Sequence, residues 1–226
     1  MDNIKNAIFD YFLSYPLAKE IFDKLLEIGD VFCIGGLLRE YRDSKRILHL
    51  RDADFSVNIH NSGLWTDFLS KKSYKNNRFG GWKFDCGGFF VDVWDIKNTW
   101  AIKNGLVEVG KTGYLVALSQ SVYLNIDGIV YDISNQRWAD EPYYTAMNTK
   151  ELDIVLEKNP FVDLNILRAM ILRRQYNLLY SDRIKSVINE QNQRMDNYSE
   201  LLLDIQKERY LSKVISKEEI EEELKL

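Results

Sequence analysis

The sequence predicts an α+β fold: a small mixed β-sheet flanked by helices, followed by an all-helical C-terminal region. Three observations carry this. Short apolar runs that end in Gly-Gly or Asp-Gly pairs recur up to about residue 133. Helical apolar spacing precedes them at the N-terminal end. From Lys150 onward strand signals give way to helical spacing alone, and Asn159-Pro160 punctuates the change. The expected domains are therefore 1–148 and 149–226.

The elements follow in order. Residues 3–13 and 17–28 have helical spacing, with Pro16 between them and Gly29 placed as a helix stop. Residues 31–34 read as a buried strand running into Gly35-Gly36, with a helix starting at Leu37. Residues 53–59 give a second strand, and Ser62 is a candidate cap for a helix over 63–69. The aromatic runs 78–84 and 89–94 flank Asp85-Cys86-Gly87-Gly88, a hairpin signature. A second hairpin is predicted for 122–126 and 129–133 around Asp127-Gly128. Beyond these lie helices over 161–176, 181–190, 197–211 and 217–226.

Composition narrows the function. Hydrophobic residues at 46% exclude a disordered chain, and no uninterrupted apolar run of about twenty residues suggests a membrane span. A formal charge of -4 argues against coating nucleic acid through the overall field, while leaving a local basic groove open. Two cysteines, Cys33 and Cys86, are too few for a disulfide scaffold or a four-thiolate zinc site. The opening residues show no apolar signal core, so a cytoplasmic location is expected. His49 and His60 are too isolated to suggest a catalytic dyad.

The chemistry concentrates in three places. A strand ending at Gly35-Gly36 allows close approach of backbone amides to phosphate oxygens, and the following helix points its positive end there. Asp52 and Asp54, two apart on a strand, project from one face, a spacing that suits a hard divalent cation. Asp92 lies inside Phe89-Phe90-Val91-Asp92-Val93-Trp94, where a carboxylate is costly unless paired or metal-bound. Asp95 is assigned to helix capping. Lys71, Lys72, Lys75 and Arg78 form the clearest positive cluster, a candidate grip for an acceptor's phosphates, and Arg168 on a helix is a further candidate.

In this order the motifs resemble the polymerase-β-like nucleotidyltransferase superfamily. Gly35-Gly36-Leu37-Leu38-Arg39-Glu40 is similar to the Gly-Gly-x-x-Arg-Asp motif in the head domain of tRNA nucleotidyltransferases and bacterial poly(A) polymerases. Asn165-Ile166-Leu167-Arg168-Ala169-Met170 resembles the Leu-Arg-Ala helix of the family's neck. The resemblance implies that Asp52, Asp54 and Asp92 are catalytic and hold two Mg²⁺ ions, with Mn²⁺ as a substitute. It implies that Gly35, Gly36, Arg39 and Asn125 bind a nucleoside triphosphate.

The departures are specific. The interval from Gly36 to Asp52 is longer than usual in the family. Ser119-Gln120-Ser121-Val122-Tyr123-Leu124-Asn125 stands where the family has Arg-Arg-Asp-Phe-Thr-x-Asn, and the neck's Glu-Asp-x-x-Arg has no counterpart. The expectation is a divergent nucleotidyltransferase, not the housekeeping CCA enzyme. It would transfer a nucleoside monophosphate from a triphosphate to an acceptor hydroxyl, an RNA 3′ end foremost, releasing pyrophosphate. The alternatives are a non-catalytic nucleotide- or RNA-binding module, and transfer to a protein or small molecule.

Overall fold

A computed structural model describes residues 4–48, 50–77, 79–111, 113–210 and 213–226. His49, Arg78 and the predicted helix end at Leu211 lie outside the described residues. The chain divides into two units, Met1–Ser121 with Asp127–Glu141, and Val122–Ile126 with Pro142–Leu226.

The first unit contains α1 (Ile4–Phe12), α2 (Pro16–Ile28), β1 (Gly29–Ile34), α3 (Gly36–Ser44), β2 (Asp52–Ile59), α4 (Ser62–Ser70), β3 (Lys75–Asn76), β4 (Trp82–Asp85), β5 (Phe90–Asp95), α5 (Trp100–Lys103), α6 (Gly113–Ser119), β6 (Val130–Asp132) and β7 (Arg137–Ala139). Pro16 does not merely interrupt the helices; it opens α2, where its missing N–H costs nothing. The strands form one mixed seven-stranded sheet in the order β3-β4-β5-β2-β1-β6-β7. Only the central β2–β5 pair is parallel; its neighbours are antiparallel.

Strand alternation divides the sheet into two faces. Val31, Cys33, Ala53, Phe55, Val57, Val91 and Val93 point one way and are all but fully buried. Aromatic rings of α1 and α2 pack there: Phe12 and Phe22 lie 6.2 and 5.4 Å from Phe55, centroid to centroid. On the other face, Phe32 and Val130 join Ile96 and α6 residues Leu115 and Leu118 in a second apolar cluster. The carboxylates share this second face, and Asp54 stands beside Ile34 at the edge of that cluster.

Several predicted elements are corrected. Residues 122–126 are not a hairpin arm: Asn125–Asp127 form a 3-10 turn, and β6 pairs instead with β7. Asp127-Gly128 is a turn signal used to enter β6, not to reverse a strand. Of the strand expected over 78–84, the described part begins at Trp82, because Asn77 Oδ1 accepts from the Phe79 and Gly81 N–H groups and Gly80 turns at φ +79. Asn61, not Ser62, caps α4, its extended backbone aiming Oδ1 at the Leu64 N–H, 3.0 Å away. Asp95 does act as a cap, accepting from the Lys97 N–H at 3.1 Å.

The second unit holds α7 (Glu141–Thr149), which extends one residue into the first, then β8 (Glu151–Leu152), α8 (Val162–Tyr176), β9 (Leu179–Tyr180), α9 (Asp182–Arg194), α10 (Tyr198–Arg209) and α11 (Lys217–Glu223). The expectation of helices alone after Lys150 misses β8 and β9, which pair in parallel. Two-residue strands carry no alternation to read. Buried Glu223 fastens α11, meeting Arg173 at 2.7 Å and accepting from the Tyr180 hydroxyl at 2.5 Å. No described helix is long and apolar enough to cross a membrane.

At the α2–β1 junction the backbones approach closely, and a Cβ on Gly29 would lie 2.0 Å from the Asn58 carbonyl oxygen. Gly29→Ala is expected to lower stability by about 1–3 kcal/mol through forced backbone displacement. Gly110→Ala, where an added Cβ meets nothing within 4 Å, serves as the control in the same denaturant titration. Equal midpoints for the two variants would contradict the steric argument.

Candidate functional site

Asp52 opens β2 and Asp54 follows on the same face. The parallel neighbour β5 places Asp92 directly beside Asp54, and β4 places Lys83 beside Asp92. On the other side, Ile34 of β1 faces Asp54 and Val130 of β6 faces Ile34. One row across the sheet therefore reads Lys83, Asp92, Asp54, Ile34, Val130. Strand β1 ends immediately after Ile34, so Gly35 lies at the sheet end where β2 begins.

Gly35 has φ 75 and ψ -124, a backbone that favours glycine, and caps α3. Its N–H donates to the Ile129 carbonyl at 3.1 Å, while its carbonyl accepts from Leu38 and Arg39. The amides of Gly36 and Leu37, first in the nine-residue α3, have no acceptor within the helix.

The carboxylates differ in surroundings. Asp92 is only 4% exposed. One of its oxygens accepts from Asn77 Nδ2 at 3.0 Å, and the other is paired with the Lys83 ammonium. That ammonium also lies 5.0 Å from the Phe90 ring centroid. Asp52 is partly buried and accepts from Arg51 Nε and Nη2 at 2.9 and 2.7 Å. Asp54 is partly buried; its charge and, more strongly, full burial push the neighbouring Cys33 thiol well above its ordinary pKa. Cys33 is thus a packing residue and not a nucleophile.

The remaining candidates are placed as follows. Arg39 is buried, and its Nη1 is paired with Asp127. Asn125 belongs to the second unit and commits its amide to backbone: Nδ2 donates to the Glu151 carbonyl, and Oδ1 accepts from the Ile126 and Asp153 N–H groups at 2.9 and 3.0 Å. Lys75 is exposed on β3. Arg168 is partly buried in α8 of the second unit. Lys71 and Lys72 are engaged by Asp67 and Glu20.

With this geometry in view, the chain was compared with known proteins. No protein-family model and no curated protein matches its sequence. Solved structures do match. A CCA-adding enzyme in complex with ATP superposes with TM-score 0.53 at 16% identity, over 85% of this chain and 49% of that one. A Thermotoga maritima CCA-adding enzyme complexed with tRNA gives 0.51 at 15% identity, over 80% and 44%. A CCA-adding enzyme with CTP gives 0.50 at 14%, over 84% and 45%. The fold is nucleotidyltransferase-like. The chain spans less than half the length of these three enzymes.

A nucleotidyltransferase-like fold implies divalent cations, and the donor set can be tested for them. The chemistry of hard carboxylate oxygens suits Mg²⁺. The arrangement does not suit a second ion at Asp92, because the Lys83 ammonium already supplies a positive charge at one of its oxygens. Among the described residues no group of three His, Cys, Asp or Glu converges to hold a metal. Asp52 and Asp54 keep the donor chemistry for one cation, since the guanidinium on Asp52 is half-exposed and easily displaced.

The sequence did not single out Asn77, and Lys83 stood in it only as part of the aromatic run 78–84. Their signal is parity: a lysine facing an aspartate becomes visible once β4 and β5 are registered. Lys83→Met is expected to destabilise the chain by about 3–5 kcal/mol, because it strands a buried carboxylate. Lys83→Met combined with Asp92→Asn should recover most of that loss in chemical denaturation. A double variant as unstable as the single one would refute the pairing.

Proposed function

We propose that the chain is a nucleotidyltransferase that moves a nucleoside monophosphate from a nucleoside triphosphate to an acceptor hydroxyl, with an RNA 3′ end as the acceptor and a divalent cation, Mg²⁺ or Mn²⁺, required. Residues 1–148 would carry the transfer and 149–226 a neck-like helical part. The observation that supports this most directly is the adjacency of Asp54 and Asp92 in the parallel β2–β5 register, with Asp52 on the same face and the Gly35 turn at the same sheet end.

In this reading the amides of Gly36 and Leu37 receive triphosphate oxygens at the positive end of α3. Arg39 is a positioning residue: its ion pair with Asp127 fixes the first turn of that helix against the entry to β6. Asn125 fixes its own segment to the backbone of Glu151 and Asp153. The acceptor oxygen bonds to the α-phosphorus, the bond to the bridging oxygen of the β-phosphate breaks, and pyrophosphate leaves. A carboxylate of the Asp52–Asp54 pair takes the hydroxyl proton. A bound divalent cation supplies charge neutralisation of the triphosphate. In the first unit Lys75, with Arg78, is assigned to acceptor phosphates; in the second unit Arg168 is assigned separately to RNA phosphate.

One observation favours a second reading. Lys83 and Arg51 already compensate Asp92 and Asp52, as a nucleotide-binding module without catalysis would need. The two readings separate in one assay: labelled triphosphates, Mg²⁺ and total RNA, followed by detection of label transfer and pyrophosphate. Transfer by the wild type is expected, with a loss of about 10²-fold or more in Asp52→Asn and Asp54→Asn. Thermal stability of the variants without metal should stay within about 1 kcal/mol of wild type. Triphosphate binding with no transfer would favour the module, and equal transfer by all three proteins would remove the aspartates from the mechanism.

A further inference from the structure

Lys83 stands where the expected donor set leaves no place for it. In the cross-sheet row it is the immediate neighbour of Asp92, which is itself the neighbour of Asp54. Its ammonium pairs with Asp92 and also sits 5.0 Å from the ring centroid of Phe90. Phe90 is the register partner of Asp52, so the lysine head leans along β5 toward the sheet end where β2 begins and β1 gives way to the Gly35 turn. The ammonium is thus held between the Asp92 carboxylate and the Phe90 ring.

Four contacts hold the arrangement. The ring of Phe90 bounds the ammonium on one side. Asn77 fixes the other oxygen of Asp92, and its own Oδ1 is held by the Phe79 and Gly81 N–H groups at 3.1 and 2.8 Å. Rotation of Asp92 away from Lys83 would therefore cost the hydrogen bond from Asn77 as well as the ion pair. A divalent ion binding Asp92 would have to displace an ammonium from a buried carboxylate, or coexist with it at contact distance against like-charge repulsion. At Asp52 the competing cation is the Arg51 guanidinium, which is half-exposed and therefore less costly to displace than an ammonium on a buried carboxylate.

We propose that the Lys83 ammonium is a resident cation of the site: it takes the place beside Asp92 that a second divalent ion would occupy, so that the chain engages a nucleoside triphosphate with one divalent ion, at Asp52 and Asp54. The inference rests on the nucleotidyltransferase reading and specifies its cation requirement. Lys83 is on this account a positioning and charge-supplying residue, and its removal should create a cation site instead of merely weakening one.

The test counts ions. Mn²⁺ is titrated into the full chain saturated with a triphosphate whose α,β-bridging oxygen is replaced by methylene, and bound Mn²⁺ is read by electron paramagnetic resonance. The wild type is expected to hold one Mn²⁺ per chain and Lys83→Gln two, while Lys83→Gln with Asp92→Asn returns to one. Two ions on the wild type would overturn the inference and leave the nucleotidyltransferase reading standing; this arm needs no variant to fold. A Lys83→Gln protein with native circular dichroism and still one ion would overturn it as well. A wild type that binds neither Mn²⁺ nor the triphosphate would instead overturn the nucleotidyltransferase reading on which the inference stands.

Discussion

The parallel pairing of β2 with β5 is the constraint on which the rest of the first unit depends. It sets Asp54 beside Asp92 in the middle of a seven-stranded sheet. Two like charges about one strand spacing apart repel by roughly 3 kcal/mol at an effective dielectric constant near 20. No sheet keeps such a pair without compensation. The compensation comes from the strand on the far side of Asp92, through Lys83, and from the turn that precedes it, through Asn77. A one-residue slip of β4 would carry Lys83 onto the apolar face of β5, turn Phe84 out to the polar face, and leave the carboxylate unpaired. Electrostatics and register therefore enforce one another.

The division of the sheet into two faces follows from the same alternation. One face buries Val31, Cys33, Ala53, Phe55, Val57, Val91 and Val93, with the rings of α1 and α2 packed over Phe55. On the other, α6 and Ile96 cover Phe32 and Val130. The polar positions Asp52, Asp54 and Asp92 share the face but not the cluster.

What the sequence revealed was what is local. Gly35-Gly36 and Asp52-x-Asp54 are each readable within a few residues, because a turn and a strand face are properties of a short segment. The α+β class was legible for the same reason, from apolar spacing summed along each element. Partners distant in the chain were not. Arg39 and Asp127 are 88 residues apart, and nothing near either announces that their charges meet. Asn125 looked like a ligand residue by its place in a motif, yet its amide joins the backbone of residues 151 and 153. The hairpin expected around Asp127-Gly128 failed because turn chemistry marks a change of direction and does not say which strand lies beyond it. That strand, β6, finds β1 and β7 as its neighbours.

Lysine, and not arginine, is the residue that fits beside Asp92. A guanidinium seeks both oxygens of a carboxylate in a planar fork. Here one oxygen already accepts from Asn77, which also closes the 77–81 turn, so a fork would compete with the contact that shapes the approach to β4. An ammonium is a point charge on a flexible stem and can take the remaining oxygen alone. The stem stays partly exposed while the head is fixed between carboxylate and ring. The charge of the site is thereby set by side chains of the sheet itself, and any ligand that arrives there meets a surface whose most buried carboxylate is already balanced.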